Sequence, residues 1–223
     1  VCFDMLNDKW RFYEFCQKHG VRVPQTWLFN NIEQLNAAVL EGSVPFPFIV
    51  KPHDSMGGYG VQKIMNKNDL KLLNKVQYLP VLVQKLIIGS ELDISTLSDK
   101  GKIGAYSIQR NLPRKYVFIK HDQLLTETNR IVKASGFHGI ANFDAIEEAG
   151  TGNIYLIECN PRVWYSIFAT ALAGLNFVEL SLKIDSLNLD DSQRIIGKKV
   201  RVGRKLKLIM RLITKFKINE TDL

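Results

Sequence analysis

Cysteine is scarce: Cys2, Cys16 and Cys159 are the only three in 223 residues, far apart along the chain. Such spacing excludes a disulfide framework and a zinc site of clustered thiolates, and it favours a reducing compartment, so a cytoplasmic location is expected. Histidine is equally sparse. Positions 19, 53, 121 and 138 contain no pair at metal-ligand spacing, so these residues read as structural or solvated. The G-x-S-x-G nucleophile elbow is missing, as is any cysteine and histidine arrangement, which excludes the common covalent hydrolase designs. No apolar run approaches the ~18 residues of a membrane span, and the first residues lack the basic-then-apolar order of a signal peptide. The chain opens on Val1 instead of Met and is expected to be a fragment. Repeats, low-complexity blocks and Pro- or Ser-rich linkers are absent too, so any lobes are expected to share a close interface.

What the sequence does hold is length enough for a real core, as one large domain or two lobes, and positive charge. Thirty Lys and Arg against twenty-two Asp and Glu leave +8, much of it from Arg194 onward. The excess favours an anionic partner such as a nucleotide, a nucleic acid or an acidic membrane.

Capping and periodicity outline the elements. Asp8 caps a helix through Trp10, Tyr13 and Cys16 that stops at Gly20, and Asn30 with Glu33 forms a capping-box pattern for IEQLNAAVLEG. VRVPQTWLF, FPFIVKP and VQKIM read as strands, with the glycine-rich loop DSMGGYG before the third and a short helix from Asn66 or Asn68 after it. PVLVQKLI, SELDISTLS and KIGAYSIQR read together as an antiparallel meander, with a turn at Asp99 to Gly101. A strand at YVFIK and a helix near TETNRIVKAS follow. GIANFDAIEE and NIYLIECN flank EAGTG, a strong hairpin signal. Helices around SIFATALAGL and NFVELSLKIDSL come next.

The hairpin carries the sharpest chemistry. Alternation puts Leu156, Glu158, Asn160 and Arg162 on one side of IYLIECNPR, and pairing with GIANFDAI brings Asp144 beside Glu158 and Asn160. Two carboxylates and an amide oxygen are hard ligands of the kind magnesium uses; the alternative is a set of solvated edge residues. Arg162 sits where it would hold an anionic transition state or form a structural ion pair with Glu158 or Asp144. Gly57, Gly58 and Gly60 follow Lys51, so backbone N–H groups and a mobile charge are available to a phosphate. The spacing fits neither the P-loop nor the Rossmann fingerprint, and a plain hairpin loop explains it equally well. Lys9 reads as a solvated helix lysine, and Glu91 follows an ordinary strand-to-turn junction that could face a sugar.

Taken in order, DKWRF at 8–12, GVRVPQTW at 20–27, FIVKPHDSMGGYGV at 48–61, VLVQKLIIGSELDIS at 81–95, GIANFDAI at 139–146 and LIECNPR at 156–162 resemble the ATP-grasp superfamily. The lysine, proline and SMGG run and the ECNPR ending resemble its carbamoyl-phosphate-synthase-like branch. The resemblance implies an α+β fold of two α+β lobes with the nucleotide between them. Its expected parts are a leading helix at 1–21, a small lobe at 22–86 with the lid loop, a large lobe at 87–190 with the metal site, and a basic tail helix at 191–223. It further implies that Lys9 and Lys51 contact ATP phosphates under a lid formed by Ser55, Gly57, Gly58 and Gly60. Gln84, Lys85 and Ile87 would form the hinge beside adenine and Glu91 would reach the ribose. Asp144, Glu158 and Asn160 would hold Mg2+ or Mn2+, and Arg162 would stabilise the phosphorylated intermediate. Two residues depart from the family, Gln84 where Glu is frequent and Asn142 where amino-acid ligases often carry Arg, and the chain is expected to be a fragment that lacks the usual N-terminal domain.

The activity so implied is ATP- and magnesium-dependent activation of a small-molecule carboxylate as an acyl phosphate for attack by an amine. The alternatives are an ATP-grasp small-molecule kinase and a non-catalytic ATP-binding module. Residues Gln109 to Lys120, with Arg110, Arg114 and Lys115, are expected in the substrate wall. Residues 204–217 place Leu206, Ile209, Ile213 and Phe216 on one helical face, which would dock on the main body or a partner, or lie on an anionic membrane. No nucleic acid partner is expected, because the basic residues cluster without an aromatic stacking set.

Overall fold

The structure is a computed structural model and describes residues 2–53, 58–184 and 195–201. The chain divides into two compact units, Phe3–Ser90 with Ile146–Glu158, and Glu91–Ala145 with the described residues from Cys159 on. Among the described residues no helix is long and apolar enough to cross a membrane.

In the first unit α1 (Cys2–Asn7) leads to α2 (Lys9–Lys18), whose N-cap Asp8 accepts a hydrogen bond from Arg11 N at 2.9 Å. That carboxylate satisfies an orphan N–H and complements the helix dipole. β1 is confined to Thr26–Phe29, the last four residues of the expected strand. α3 (Ile32–Leu40) is capped by Asn31, not Asn30. Asn31 has the extended backbone of a cap and accepts from Gln34 N at 2.8 Å, and Gln34 Oε1 accepts from Asn30 N at 3.2 Å. The cap is displaced by one residue, and Gln34 in place of Glu33 reaches back to the N–H before the cap residue instead of the cap's own, so the expected capping box is corrected to a one-sided cap. Further on come β2 (Phe48–Pro52), β3 (Gln62–Ile64), a 3-10 helix (Lys67–Lys75) opened by the Asn66 and Asp69 capping box, and β4 (Val81–Lys85).

These strands form an antiparallel sheet in the order β1-β4-β2-β3. Phe48, Val50, Val81 and Val83 meet Leu35 and Val39 of α3 and Leu73 in one core. Period 2 then turns Thr26, Lys51 and Gln84 to the opposite face, where Gln84 lies directly across from Thr26 and from Ile49. The expectation that joined PVLVQKLI to the two following strands is corrected. β4 pairs with β1 and β2, because Val81 and Val83 complete the apolar face that Phe48 and Val50 present.

The second unit takes most of a six-stranded sheet, formed by β5 (Gly89–Asp99), β6 (Lys102–Leu112), β7 (Lys115–Ile119), β8 (Gly139–Glu148), β9 (Ile154–Asn160) and β10 (Lys199–Arg201). Its order is β10-β7-β6-β5-β8-β9, so the meander is β5, β6 and β7. The Asp99 to Gly101 turn is present, with Lys100 at φ 43° and Gly101 at φ 89°. Two left-handed residues are what a two-residue hairpin turn needs to match strand twist. α4 (Asp122–Ser135) is capped by His121, whose Nδ1 accepts from Leu124 N at 3.2 Å, and it ends at Gly136. Leu97, Ala105 and Phe118 pack with Ile167, Ala169 and Ala173 of α5 (Ile167–Ala173) and with Phe177 of α6 (Phe177–Ser181). Among the described residues the sequence from Asn176 is α-helical over Phe177–Ser181. The expected tail helix at 191–223 is corrected near its start, where Lys199–Arg201 is strand β10 paired antiparallel with β7, and the segment's end at 185–187, residues 204–217, and Ser55 and Gly57 of the loop lie outside the described residues.

Candidate functional site

In the first unit the face opposite the core builds a polar chain. Lys51, only 5% exposed, donates from Nζ to Gln84 Oε1 at 3.0 Å. Gln84 Nε2 donates to Thr26 Oγ1 at 3.0 Å, and that hydroxyl donates to Pro24 O at 2.8 Å. The strand register that sets Gln84 beside Thr26 thereby fixes the lysine head. A glutamate at position 84 would pair with the ammonium and cancel its charge; the amide orients it and leaves Gln84 neutral.

Just beyond Lys51, Gly60 ends the glycine-rich loop at φ 74°. A Cβ there would lie 2.8 Å from Pro52 Cγ, so the close approach demands glycine. Tyr78 OH donates to Gly60 O at 2.6 Å, and burial raises the Tyr78 pKa. Gly58 is also left-handed, at φ 74°.

Lys9, the first residue of α2, points Nζ at Glu158 Oε2 across 3.8 Å. It is mostly buried, so the reading of a solvated helix lysine is corrected: a carboxylate from the end of β9 faces it. His53 Nε2 lies 2.9 Å from Asp8 Oδ2 at the start of the same helix. In the expected hinge, Lys85 N donates to Gln25 O at 2.8 Å and Leu86 N to Pro47 O at 3.0 Å. The Lys85 side chain is exposed and Ile87 is buried.

In the second unit Asp144 accepts from Asn142 Nδ2 at 2.9 Å, and Asn142 Oδ1 accepts from Ser95 Oγ at 3.0 Å. Position 142 is thus a buried amide that orients Asp144. Asn160 Oδ1 accepts from Arg162 Nη2 at 2.8 Å, and Arg162 Nη1 reaches Val163 O at 3.4 Å. Along β9, Ile154 and Leu156 are fully buried, whereas Glu158 and Asn160 on the same side are half-buried. The apolar half of that side belongs to the core and its polar end opens. Glu91, at the start of this unit, is exposed.

One group of side chains was anticipated only in part: Gln109, Asn111 and Tyr116 fall within the expected substrate wall, whereas Asp93 and Ser166 were not singled out. Asp93, 7% exposed, accepts from Gln109 Nε2 and from Asn111 Nδ2, both at 2.9 Å. Gln109 Nε2 also lies 2.9 Å from Ser166 Oγ. Burial first, with a smaller push from Glu91, raises the Asp93 carboxyl to about 6 against the pull of the two amides. Nearby Tyr116 is pushed up to about 12, by burial first and then by Tyr165 and Asp93. The signal was there in the register: polar side chains at alternate positions of β5 meet polar side chains at alternate positions of β6, Asp93 opposite Gln109 and Ser95 opposite Ser107. Of the residues expected in the substrate wall, Gln109 is buried and Arg114 occupies the β6–β7 turn at φ 57°.

Two α+β units carrying antiparallel sheets, with a glycine-rich loop behind a buried lysine, define the ATP-grasp fold, the class to which the solved relatives point. The ATP-grasp domain family matches residues 6–166, and the chain belongs to that family. It is 26% identical over 202 residues to the carbamoyl phosphate synthase large chain of Clostridium acetobutylicum, covering 81% of this chain and 19% of the relative. The same enzyme chain of Clostridium beijerinckii is 26% identical over 204 residues, covering 81% and 18%. The chain therefore spans about a fifth of the length of these curated relatives. Among solved structures, Staphylococcus aureus N5-carboxyaminoimidazole synthetase complexed with ADP superposes with a TM-score of 0.70 at 18% identity, covering 87% of this chain and 53% of that one. The biotin carboxylase domain of Hydrogenobacter thermophilus 2-oxoglutarate carboxylase gives 0.69 at 17%, covering 87% and 49%.

Proposed function

We propose that the chain is the nucleotide-binding part of a cytoplasmic, ATP- and magnesium-dependent ligase that activates a carboxylate for attack by an amine. The observation that carries the reading is Lys51, a buried lysine hydrogen-bonded to a neutral amide and followed by a glycine-rich loop. A buried ammonium set beside closely approachable backbone is a phosphate-binding arrangement, because a polyanion gains most where water is excluded. Lys9 adds a second cation, and Gln84, Lys85, Ile87 and Glu91 are the residues assigned to the base and ribose.

The donor set of Asp144, Glu158 and Asn160 fits a hard divalent cation: all three offer oxygen, and Asn142 and Arg162 orient two of them. ATP with Mg2+, or Mn2+, supplies the phosphoryl group that makes a carboxylate oxygen a good leaving group, with its charge offset by the metal. The protein's own share is positional. In this reading Lys51 and Lys9 are assigned to anionic oxygens, the glycine-rich loop to excluding water, and Arg162 to stabilising negative charge through its bidentate guanidinium.

The test is release of inorganic phosphate that requires ATP together with a carboxylate and an amine, screened over substrate pairs. Loss of release in Glu158→Gln is expected. ATP affinity that is the same with and without magnesium overturns the reading, and a stable phosphorylated small molecule in place of a joined product makes the protein a kinase.

A further inference from the structure

The second unit carries a built polar site that the nucleotide and metal assignments leave unused. Its centre is Asp93. Among the described residues no lysine, arginine or histidine pairs with it, and the charged neighbour that acts on it is Glu91, also an acid. A buried carboxylate without a counter-ion is costly, and its two amide donors leave part of its acceptor capacity unused.

Beside it stand two orphaned atoms. Gln109 is fully buried, its Nε2 is committed to Asp93 and Ser166, and among the described residues its Oε1 has no hydrogen-bond partner. Flipping that amide would aim a carbonyl at a carboxylate, so the orientation is fixed. Ser107, two residues earlier on β6 and hence on the same face, is also buried, with an Oγ that has no hydrogen-bond partner among the described residues. The register sets Ser107 opposite Ser95 and Gln109 opposite Asp93, so the four side chains share one side of the sheet.

We propose that Asp93, Gln109 and Ser107 form the binding site for a protonated primary amine, the ammonium group of the acceptor substrate. A primary ammonium has three N–H donors and one positive charge, and the site offers a carboxylate, an amide carbonyl and a hydroxyl oxygen. A divalent metal suits it poorly, because Gln109 and Asn111 both turn donors toward the carboxylate. The inference rests on the ligase reading above and adds where the amine is recognised.

The test uses methylammonium chloride as the probe on the full chain, read by thermal melting at constant ionic strength, with tetramethylammonium chloride as a cation of equal charge lacking N–H. A saturable rise in Tm with methylammonium alone is expected. It should vanish in Asp93→Asn and weaken at least 5-fold in apparent Kd in Gln109→Met, while the Tm rise produced by Mg·ATP persists in both. Equal responses to the two cations, or an undiminished response in either variant, overturn the proposal and leave an ordered water as the occupant of the orphaned atoms. If Asp93→Asn does not fold, Gln109→Met decides alone. Failure of Mg·ATP to raise the wild-type Tm removes the ligase reading itself, whereas an ATP response without a methylammonium response removes only the amine site.

Discussion

The first unit buries a lysine and the second an aspartate, and each ion is hydrogen-bonded to the side chain of a glutamine, Lys51 to Gln84 and Asp93 to Gln109. A primary amide has two ends, so it presents its carbonyl to the cation in one place and its NH2 to the anion in the other. Either way it fixes the ion's geometry without cancelling its charge. The difference lies at the far end of each amide. Gln84 passes its NH2 to Thr26 and the chain of hydrogen bonds closes on Pro24 O, whereas Gln109 Oε1 has no hydrogen-bond partner among the described residues. The lysine is held by a finished structure and the aspartate by an unfinished one, which is where a ligand group has something to complete.

Removing the lysine's charge is the strongest way to break that comparison. Lys51→Met keeps the stem and deletes the ammonium, and ATP-dependent phosphate release should fall by about 100-fold or more, the scale of losing one preorganised charge at a phosphate. A rate within a few-fold of wild type would make Lys51 a structural residue.

The aspartate is best probed by pH. Its folded pKa is raised to about 6 from the ordinary 3.8, so between those values the folded state binds the proton that the unfolded state releases. Stability from this group is therefore full below about pH 4 and declines as pH rises to about 6, by up to about 3 kcal/mol at 1.36 kcal/mol per pKa unit. The denaturation free energy of wild type minus that of Asp93→Asn should fall by that order across the window and then level off. A flat difference would mean that Asp93 keeps an ordinary pKa.

Thr26→Val tests whether the first chain is as closed as it looks. It removes the acceptor of Gln84 Nε2 and leaves a buried NH2 unsatisfied, at a cost of about 1–3 kcal/mol. The corresponding loss at Ser107→Ala should be near zero or favourable, since that hydroxyl has no partner to lose. Urea denaturation of both variants gives the contrast, and equal losses would erase it.

Much of the first unit and of the β8–β9 hairpin was legible because alternation and turn chemistry are local. Val81 and Val83 announce a strand, EAGTG announces a hairpin, and Glu158 with Asn160 stand out against Ile154 and Leu156 by period 2 alone. What escaped is non-local. β4 belongs to a sheet with β1 and β2 through pairings that span 29 residues, from Pro52 to Val81, and more, and sequence order suggested β5 as its neighbour instead. The Lys51 to Thr26 chain needs three strands in register before it exists. Asp93 looked like the polar half of an alternating strand, and only the polar alternation of β6 across from it, with Ser166 from the start of α5, turns that half into a buried site. A half-exposed strand and a strand covered on both faces write the same pattern when the second covering is itself polar.

The smallest effect bears on the frame that carries the lysine. Tandem asparagines open α3, and both satisfy the residue preference for a cap, but it is Asn31, with an extended φ of −151°, whose side chain takes Gln34 N. Asn30 contributes its backbone N–H to Gln34 Oε1 instead. Asn31→Ala should therefore cost about 1 kcal/mol and Asn30→Ala only a few tenths, because truncating a side chain leaves a backbone donor in place. α3 supplies Leu35 and Val39 to the core whose other face bears Lys51 and Gln84. If the cap matters only to local stability, Asn31→Ala lowers Tm and leaves ATP affinity unchanged. A loss of affinity larger than the loss of stability would mean that the register of β2 and β4, and with it the lysine's position, depends on how that helix begins.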